Sequence, residues 1–253
     1  MLKGNEYLAQ RFTLKIGDHL QTAEKKKDYN EKVFSEVASK YDFITRALSF
    51  WQDASWKRDL ISSLPPHEAP LCVDMACGTG DISFLLAKKY PQGNIVGVDI
   101  AMPMLDIARD RNTSQNVLFI NQDMSHLEFS SESIDIVTGG YALRNAPDLK
   151  IVINEIHRIL KLGGVAAFLD FSKPESPFLQ QLEYWILKVW GGFWGALLHR
   201  NHEVYGYIAE SLQLFPDRRR LQEIFTERGF VVTVSHLYFF GITELLVIRK
   251  VDQ

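Results

Sequence analysis

Apolar residues follow two alternating patterns along the middle of the chain. Short apolar runs predict β-strands near residues 71–76, 95–98, 117–120, 134–138 and 165–170. Between these runs, apolar residues recur every three or four positions, which is typical of helices that bury one face. The clearest helix is predicted after Asp148, its expected N-cap, and should end at Gly163-Gly164. Strands that alternate with helices predict an α/β fold with a parallel, doubly wound sheet.

The two ends of the chain add helices and strands to this core. Residues 1–19 are expected to form a mobile tail or a short helix, and Thr22 should cap a single helix over residues 23–48. A shorter helix is predicted over 53–64, and two closing strands over 230–236 and 243–248. We therefore predict one domain in four parts: a tail and helical lid (1–65), a cofactor-binding core (66–175), a helical cap (176–216), and a closing helix with strands (217–253).

The predicted cap is rich in aromatic residues. Residues 178–198 include Trp185, Trp190 and Trp194, together with Tyr184 and Phe193. Its uninterrupted apolar runs are too short for a helix that spans a membrane. Two interpretations remain open: a cap packed on the sheet, or an apolar wall for a greasy substrate or a membrane interface.

A glycine turn joins the first strand to the next helix in the stretch LCVDMACGTGD, residues 71–81. Such a strand, turn and helix are typical of nucleotide-binding α/β proteins. Asp74 and Asp81 lie beside the turn, where negative charge would repel a pyrophosphate and attract an amino group or a sulfonium. Asp99 ends the second strand, where a carboxylate suits the two hydroxyls of a ribose. The pattern favours S-adenosylmethionine over NAD, and an ordinary tight turn is the alternative.

Composition narrows the class of protein. The chain has 253 residues, enough for one substantial core, and its net charge of −3 predicts no nucleic-acid partner. Cys72 and Cys77 are its two cysteines, and no clustered histidines join them, so neither a metal site nor a disulfide framework is predicted. The N-terminus lacks the apolar segment of a signal peptide. We expect a cytoplasmic protein, with peripheral membrane contact through the aromatic cap left open.

Seven motifs lie in order within the stretch from near Lys27 to Ile248: KYD (40–42), LSFWQDASWK (48–57), VDMACGTGD (73–81), LRNAPD (143–148), RILKLGG (158–164), DFSKP (170–174) and YGYIAESLQLFP (205–216). Together they resemble the ubiquinone/menaquinone-biosynthesis C-methyltransferase family. The glycine turn is common to many S-adenosylmethionine enzymes, whereas the LRN, FSKP and YxYxxESxxxFP pieces are more specific. The resemblance implies a class I methyltransferase, with a Rossmann-like sheet of seven strands, the last antiparallel, and an N-terminal helical lid.

The sequence departs from the family's pattern at several positions. Trp51 and Asp53 stand where the family often has glycine and histidine, and Asp170 replaces a common glutamate. Gly140 stands where a small hydroxyl residue is frequent, and Tyr141-Ala142 replaces Phe-Gly. These changes alter the bulk of the lid and the pocket, so they bear on the substrate more than on the chemistry.

The resemblance also implies roles for individual residues. In the cofactor site, the glycine turn would bind the methionine part of the cofactor, and Asp74 and Asp81 would face its cationic side. Asp99 would bind the ribose, and Asp123 and Met124 would contact the adenine. The full cofactor set is Asp74, Gly78, Thr79, Gly80, Asp81, Asp99, Asp123, Met124 and Gly140. Arg144 and Asn145, directly after the fourth strand, would meet the acceptor, and Tyr41 and Asp42 of the lid would close over it. The alternative for Arg144 and Asn145 is a purely structural loop, and the alternative for Tyr41 and Asp42 is an exposed polar pair on the lid.

The leading hypothesis is transfer of a methyl group from S-adenosylmethionine to a ring carbon of a prenylated hydroquinone, such as a demethylmenaquinol or a ubiquinol precursor. The alternatives are O- or C-methylation of a soluble phenolic metabolite and, from another class, a non-catalytic S-adenosylmethionine-binding scaffold subunit. The expected partner is thus a hydrophobic phenol or hydroquinone. A homodimer is left open.

Overall fold

The computed structural model describes residues 22–199 and 203–252, and the predicted N-terminal tail lies outside these ranges. Seven strands form one sheet in the order β3-β2-β1-β4-β5-β7-β6. Their bounds are Leu71–Met75 (β1), Asn94–Asp99 (β2), Val117–Asn121 (β3), Ile134–Gly140 (β4), Leu160–Phe171 (β5), Phe230–Tyr238 (β6) and Thr243–Lys250 (β7). β1 to β5 pair in parallel, whereas β7 is antiparallel to both β5 and β6. The predicted fold class is therefore confirmed.

The helices that belong to the sheet pack on its two faces. They are α3 (Asp53–Ser63), α4 (Asp81–Lys89), α5 (Met102–Arg111), α6 (Leu149–Ile159) and α9 (Arg218–Thr226). One core cluster joins α6 and α9 to the sheet, and a second joins α3, α4 and α5 to its other face. The expected cap Asp148 accepts hydrogen bonds from the backbone nitrogens of Lys150 and Ile151.

The end of α6 differs from the prediction. The helix stops at Ile159, because Leu160 adopts an extended backbone and begins β5. Gly163-Gly164 therefore lies within β5, where the pairing with β4 shifts register between Ile134 and Ile136. The apolar side chain of Leu160 suits either a helical stripe or a strand, so periodicity alone misplaced this boundary.

The lid also differs from the single predicted helix. Thr22 does accept from the backbone nitrogen of Lys25, but α1 (Ala23–Val37) is followed by a 3₁₀ turn (Ala38–Lys40) and then by α2 (Tyr41–Leu48). This break changes the direction of the chain after α1. A third core cluster, which includes Val33, Ile44 and Tyr207, packs the lid against α5 and the cap.

The aromatic cap is a hairpin of two helices, α7 (Pro177–His199) and α8 (Glu203–Leu214). A Cβ at Gly191 would lie 2.7 Å from the backbone oxygen of Tyr205, so glycine at this position lets the two helices approach closely. In the described part of the chain, no helix combines the length and the apolar content needed to cross a bilayer.

Candidate active site

The glycine turn brings backbone amides to the carboxyl edge of the sheet. Gly78 and Gly80 have φ angles of 54° and 89°, in the left-handed region that favours glycine. A Cβ at Gly80 would also lie 2.9 Å from the ring of Phe119. The backbone nitrogen of Gly78 donates to Asp99 Oδ2 at 2.8 Å, which joins the turn to the end of β2. Gly80 is therefore favoured on both steric and conformational grounds, and Gly78 on conformational grounds.

Asp99 is buried beside this turn. Its second oxygen accepts from the backbone nitrogen of Ala101 at 2.9 Å, and burial raises the pKa of its carboxyl above the ordinary value. A carboxylate has about four acceptor sites, so Asp99 keeps capacity for further donors after these two backbone bonds. It lines a narrow cavity of about 50 Å³, which we call the donor cavity. The capacity that remains matches the ribose role predicted for it.

The donor cavity is built from the ends of the first four strands and from the lid. Its lining includes Gly78, Asp99, Asp123, Met124, Gly140, Tyr141, Asn145 and, from the lid, Lys27, Asn30 and Tyr41. Asp123, predicted to bind the adenine amine, pairs with Lys27 Nζ at 2.8 Å and accepts from the backbone nitrogen of Ser125. An adenine at this position would therefore share or replace the bond of the half-exposed Lys27. The role of Asp123 stays a prediction.

Asp74 and Asp81 border a smaller cavity on the other side of the turn. Asp81 is ion-paired twice, to Lys57 at 3.0 Å and to Arg111 at 2.7 Å. Burial alone would raise the pKa of Asp81, but these two cations lower it overall. Because Asp81 is already ion-paired to these two cations, its contact with the cationic side of the cofactor stays a prediction.

Asp74 is fully buried and serves the scaffold. Its carboxylate accepts from Ser83 Oγ at 2.6 Å and from Thr138 Oγ1 at 2.9 Å, which ties β1 to α4 and β4. Burial raises its pKa to about 6. Its side chain is thus already committed to two hydroxyls, and contact with the cofactor stays a prediction.

An ion-pair chain that the sequence reasoning missed fastens the lid to the glycine turn. Lys57, almost fully buried, binds Asp53 Oδ2 at 2.7 Å as well as Asp81. Burial by itself lowers the pKa of Lys57, but the two carboxylates raise it above the ordinary value. The signal was present, since Asp53 and Lys57 have the four-residue spacing of a helical ion pair.

Asp42, which lies on α2, continues this chain of ion pairs. Its carboxylate accepts from Thr79 Oγ1 at 2.6 Å and binds Arg111 at 3.0 Å. Among the described residues, Asp42 does not line the large cavity described next. Asp42 thus holds α2 against the turn, and its role in closing over the acceptor stays a prediction.

A second, larger cavity of about 530 Å³ adjoins the donor cavity, and we call it the acceptor cavity. Its volume is in the range of sites for small organic ligands. Most of its lining is apolar and comes from the lid, the cap and the turn before β7: Val33, Val37, Ile44, Leu48, Phe50, Trp56, Trp185, Leu187, Trp190, Ile208 and Phe239. Tyr41, Tyr141 and Asn145 line both cavities, so they mark the boundary at which a donor and an acceptor would meet. Burial raises the pKa of the Tyr41 hydroxyl to about 12.

Arg144 is the cation of the acceptor cavity. It is 3% exposed, its Nη1 donates to Ser211 Oγ, and its guanidinium carbon lies 5.3 Å from the centre of the Phe171 ring. Within the described residues its Nε has no hydrogen-bond partner, and neither does Oδ1 of Asn145. Buried polar atoms of this kind normally have partners, so the two atoms are candidates for binding a substrate or cofactor.

The lid and the cap hold the loop that carries Arg144 and Asn145. Lys26 Nζ donates to the backbone oxygens of Arg144 and Ala146, and Asn30 Nδ2 donates to that of Asn145 at 2.7 Å. Asn30 Oδ1 in turn accepts from the hydroxyl of Tyr207 on α8 at 2.6 Å. Burial, and after it the charge of Arg144, lowers the pKa of Lys26 to about 8. The lid and the cap, which are far apart in the sequence, thus both help to fix this loop.

The sheet order, the antiparallel β7 and the glycine turn with Asp99 define a class I S-adenosylmethionine-dependent methyltransferase. Solved structures agree with this class. The fold resembles an S-adenosylmethionine-dependent methyltransferase from Thermotoga maritima, with a TM-score of 0.61 at 18% identity over 87% of this chain and 99% of that one. It also resembles one from Aquifex aeolicus, with a TM-score of 0.56 at 14% identity over 76% of this chain and 88% of that one.

The sequence comparisons are more specific. Residues 21–248 match the model of the ubiE/COQ5 methyltransferase family. A demethylmenaquinone methyltransferase of Staphylococcus aureus is 31% identical over 207 residues, which cover 81% of this chain and 86% of the relative. The chain belongs to the ubiE/COQ5 methyltransferase family, and it is an enzyme that uses S-adenosylmethionine.

The chemistry of the residues that line the donor cavity suits that cofactor. Asp99 retains acceptor capacity for hydroxyls, Met124 offers an apolar contact, and the unpartnered Oδ1 of Asn145 suits a cationic or amine donor. A side chain at Gly78 would lie 3.7 Å from the ring of Tyr41, so glycine keeps the approach to the turn open. When bound, S-adenosylmethionine supplies an electrophilic methyl group.

Proposed function

We propose that the protein methylates a ring carbon of a prenylated hydroquinone, of the demethylmenaquinol or ubiquinol-precursor type. The observation that carries this proposal is the apolar acceptor cavity of about 530 Å³, which meets the donor cavity at Tyr41, Tyr141 and Asn145. A small soluble phenol would not need so large an apolar wall. The name of the Staphylococcus aureus relative supports the same class of substrate.

In this proposal, Arg144 stabilises the acceptor as a phenolate. A ring carbon attacks a methyl group only when the ring is electron-rich, so the substrate must be the reduced hydroquinone. Its hydroxyl starts with a pKa near that of tyrosine, about 10, and a guanidinium beside it lowers that value. Tyr41 and Asn145, at the boundary of the two cavities, orient the ring toward the methyl donor.

The product of the reaction tests this proposal. We expect the purified protein, given S-adenosylmethionine labelled in its methyl group and a chemically reduced, short-tailed demethylmenaquinone, to place the label on a ring carbon. A C-methyl group survives treatment that cleaves aryl ethers, whereas label released by that treatment would indicate O-methylation. Cofactor binding without turnover on any reduced quinone or phenol would favour the scaffold alternative.

We also propose that the mouth of the acceptor cavity contacts a lipid bilayer. Phe50, Trp185, Ile186 and Val189 line the cavity and are each about half exposed or more, and Phe240 next to them is fully exposed. Four aromatic residues around this mouth have left-handed backbones: Phe50, Trp51, Phe239 and Phe240, with φ between 50° and 64°. Such backbones are unfavourable for large residues and persist only where the surrounding structure imposes them. Moving a prenyl tail out of a bilayer into water costs about 0.8 kcal/mol per methylene. An enzyme that acts on such a substrate therefore benefits from meeting it at the interface.

Vesicle flotation tests the membrane proposal. We expect binding to phosphatidylcholine vesicles that falls at least about fivefold in the double variant Val189→Asp/Phe240→Asp, because each change places a charge in the contact. The matched control is Leu162→Asp, which also places a charge at an exposed apolar residue. Leu162 lies on β5, is 58% exposed and does not line this mouth. Equal binding by the double variant and the wild type would contradict the proposal.

A further inference from the structure

The hydroxyl hydrogen of Tyr141 is committed to a buried carboxylate. Tyr141 Oη donates to Asp53 Oδ1 at 2.8 Å, and the other oxygen of Asp53 binds Lys57 Nζ at 2.7 Å. Asp53 is only 3% exposed, so both of its partners matter. A tyrosine hydroxyl has one hydrogen and also accepts hydrogen bonds. Tyr141 also lines the acceptor cavity, and since its hydrogen points to Asp53, its hydroxyl can serve a ligand there only as an acceptor.

A group of opposite polarity lies on the same wall of this cavity. The ring of Phe171 is 5.7 Å from the ring of Tyr141 and 5.3 Å from the guanidinium carbon of Arg144, measured to ring centres. Arg144 can only donate, and its Nε, which lies 3.9 Å from Asp170 Oδ1, has no hydrogen-bond partner within the described residues. In this mostly apolar cavity, Tyr141 and Arg144 thus offer one acceptor and one donor that both lie near the ring of Phe171.

We propose that Tyr141, held by Asp53, selects the reduced hydroquinone over the oxidised quinone. One ring hydroxyl of the reduced substrate donates to Tyr141 Oη, while the other ring oxygen accepts from Arg144. A quinone has two carbonyl oxygens and no hydroxyl, so it can satisfy Arg144 but not Tyr141. For Tyr141 to donate to a quinone, its hydrogen must leave the buried Asp53 Oδ1, which then loses this donor while Oδ2 keeps Lys57. This inference rests on the proposed function.

The surroundings of Tyr141 keep its hydrogen in place. Burial, and then the negative charge of Asp53, raise the pKa of the Tyr141 hydroxyl well above its ordinary value. The hydroxyl therefore stays protonated at neutral pH and continues to donate to Asp53. Its main chain is also fixed, because its backbone nitrogen donates to the oxygen of Leu169 and its backbone oxygen accepts from Asn145 Nδ2.

Binding of a redox pair tests this selectivity. With S-adenosylhomocysteine present to prevent turnover, the affinities of 1,4-naphthohydroquinone and 1,4-naphthoquinone are measured anaerobically by calorimetry. We expect the wild type to prefer the reduced form, and Tyr141→Phe to lose about three- to tenfold of that preference, the value of one hydrogen bond. A cooperative urea unfolding transition like that of the wild type verifies that the variant is folded.

A second variant and a matched control sharpen the result. In Asp53→Asn, the positive Lys57 should attract the amide oxygen and turn the amide hydrogens toward Tyr141, which then donates into the cavity. We expect this variant to lose the preference for the reduced form at least as far as Tyr141→Phe. The control is Tyr238→Phe. It removes a 2.9 Å hydrogen bond from Tyr238 to Asp59, which lies on α3 as Asp53 does, and Tyr238 does not line the acceptor cavity. It should keep the wild-type preference.

Two outcomes would overturn the inference. An unchanged preference in folded Tyr141→Phe would exclude Tyr141 and assign the acceptor role to another group, such as Oδ1 of Asn145. A preserved preference in Asp53→Asn would show that Asp53 does not orient the hydroxyl. Failure of the proposed function is distinct from both, because it would appear as a wild type that makes no C-methylated product.

Discussion

Replacing Arg144 by methionine should lower kcat about 100- to 1000-fold, the usual cost of removing one preorganised group that stabilises developing negative charge. Arg144 is buried against Phe171 and Tyr207 in the acceptor cavity, where water screens its charge poorly. Methionine keeps much of the apolar volume but donates no hydrogen bond. Single-turnover rates with saturating S-adenosylmethionine and chemically reduced substrate measure the effect.

The pH dependence distinguishes a chemical role for Arg144 from a structural one. If the phenolate is the reacting form, the rate rises with pH through the pKa of the bound hydroxyl. Removing the guanidinium raises that pKa toward about 10. The rising limb of the pH–rate profile should therefore move to higher pH in Arg144→Met. The control is Arg228→Met, since Arg228 binds Asn154 on the surface. A lower rate with an unmoved limb would mean that Arg144 only holds the loop through Ser211 and Asp170.

Replacing Lys57 by methionine should lower the free energy of unfolding by about 3 to 5 kcal/mol, as expected when one partner of a buried ion pair is removed. Asp53 would keep its negative charge in a buried position, with the hydroxyl of Tyr141 as its remaining side-chain donor among the described residues. Asp81 would retain Arg111. Urea unfolding at neutral pH measures the loss, and weaker binding of S-adenosylmethionine should accompany it, because α3 is no longer ion-paired to Asp81 beside the glycine turn.

Two further variants test the cause of this destabilisation. Lys161→Met breaks a lysine–aspartate pair of the same length as Lys57–Asp53, 2.7 Å, but Lys161 is 47% exposed, so its loss should cost about 1 kcal/mol or less. The double variant Asp53→Asn/Lys57→Met should be more stable than Lys57→Met alone, because it removes the uncompensated charge. Equal effects of Lys57→Met and Lys161→Met would contradict the assignment.

The sequence by itself determined those features that depend on neighbours in the chain. The cap at Asp148, the glycine turn and the seven strands follow from short-range patterns, and the structure has them. Asp99 was selected because it ends β2, and its place beside Gly78 follows from the parallel pairing of β1 with β2. Even here a boundary was missed, since the side chain of Leu160 satisfies both a helical stripe and a strand.

Only the tertiary structure decided which polar groups meet. Tyr141 and Asp53 are 88 residues apart, and Asn30 and Tyr207 are 177 apart, yet each pair shares a short hydrogen bond. Asp81 looked like a free charge beside a cofactor because Lys57 and Arg111, its two cations, come from other helices. Asp42 likewise turned out to face Thr79 and Arg111. Periodicity predicts which face of a helix is buried, but the partner of a buried polar side chain depends on how the helices and strands pack against one another.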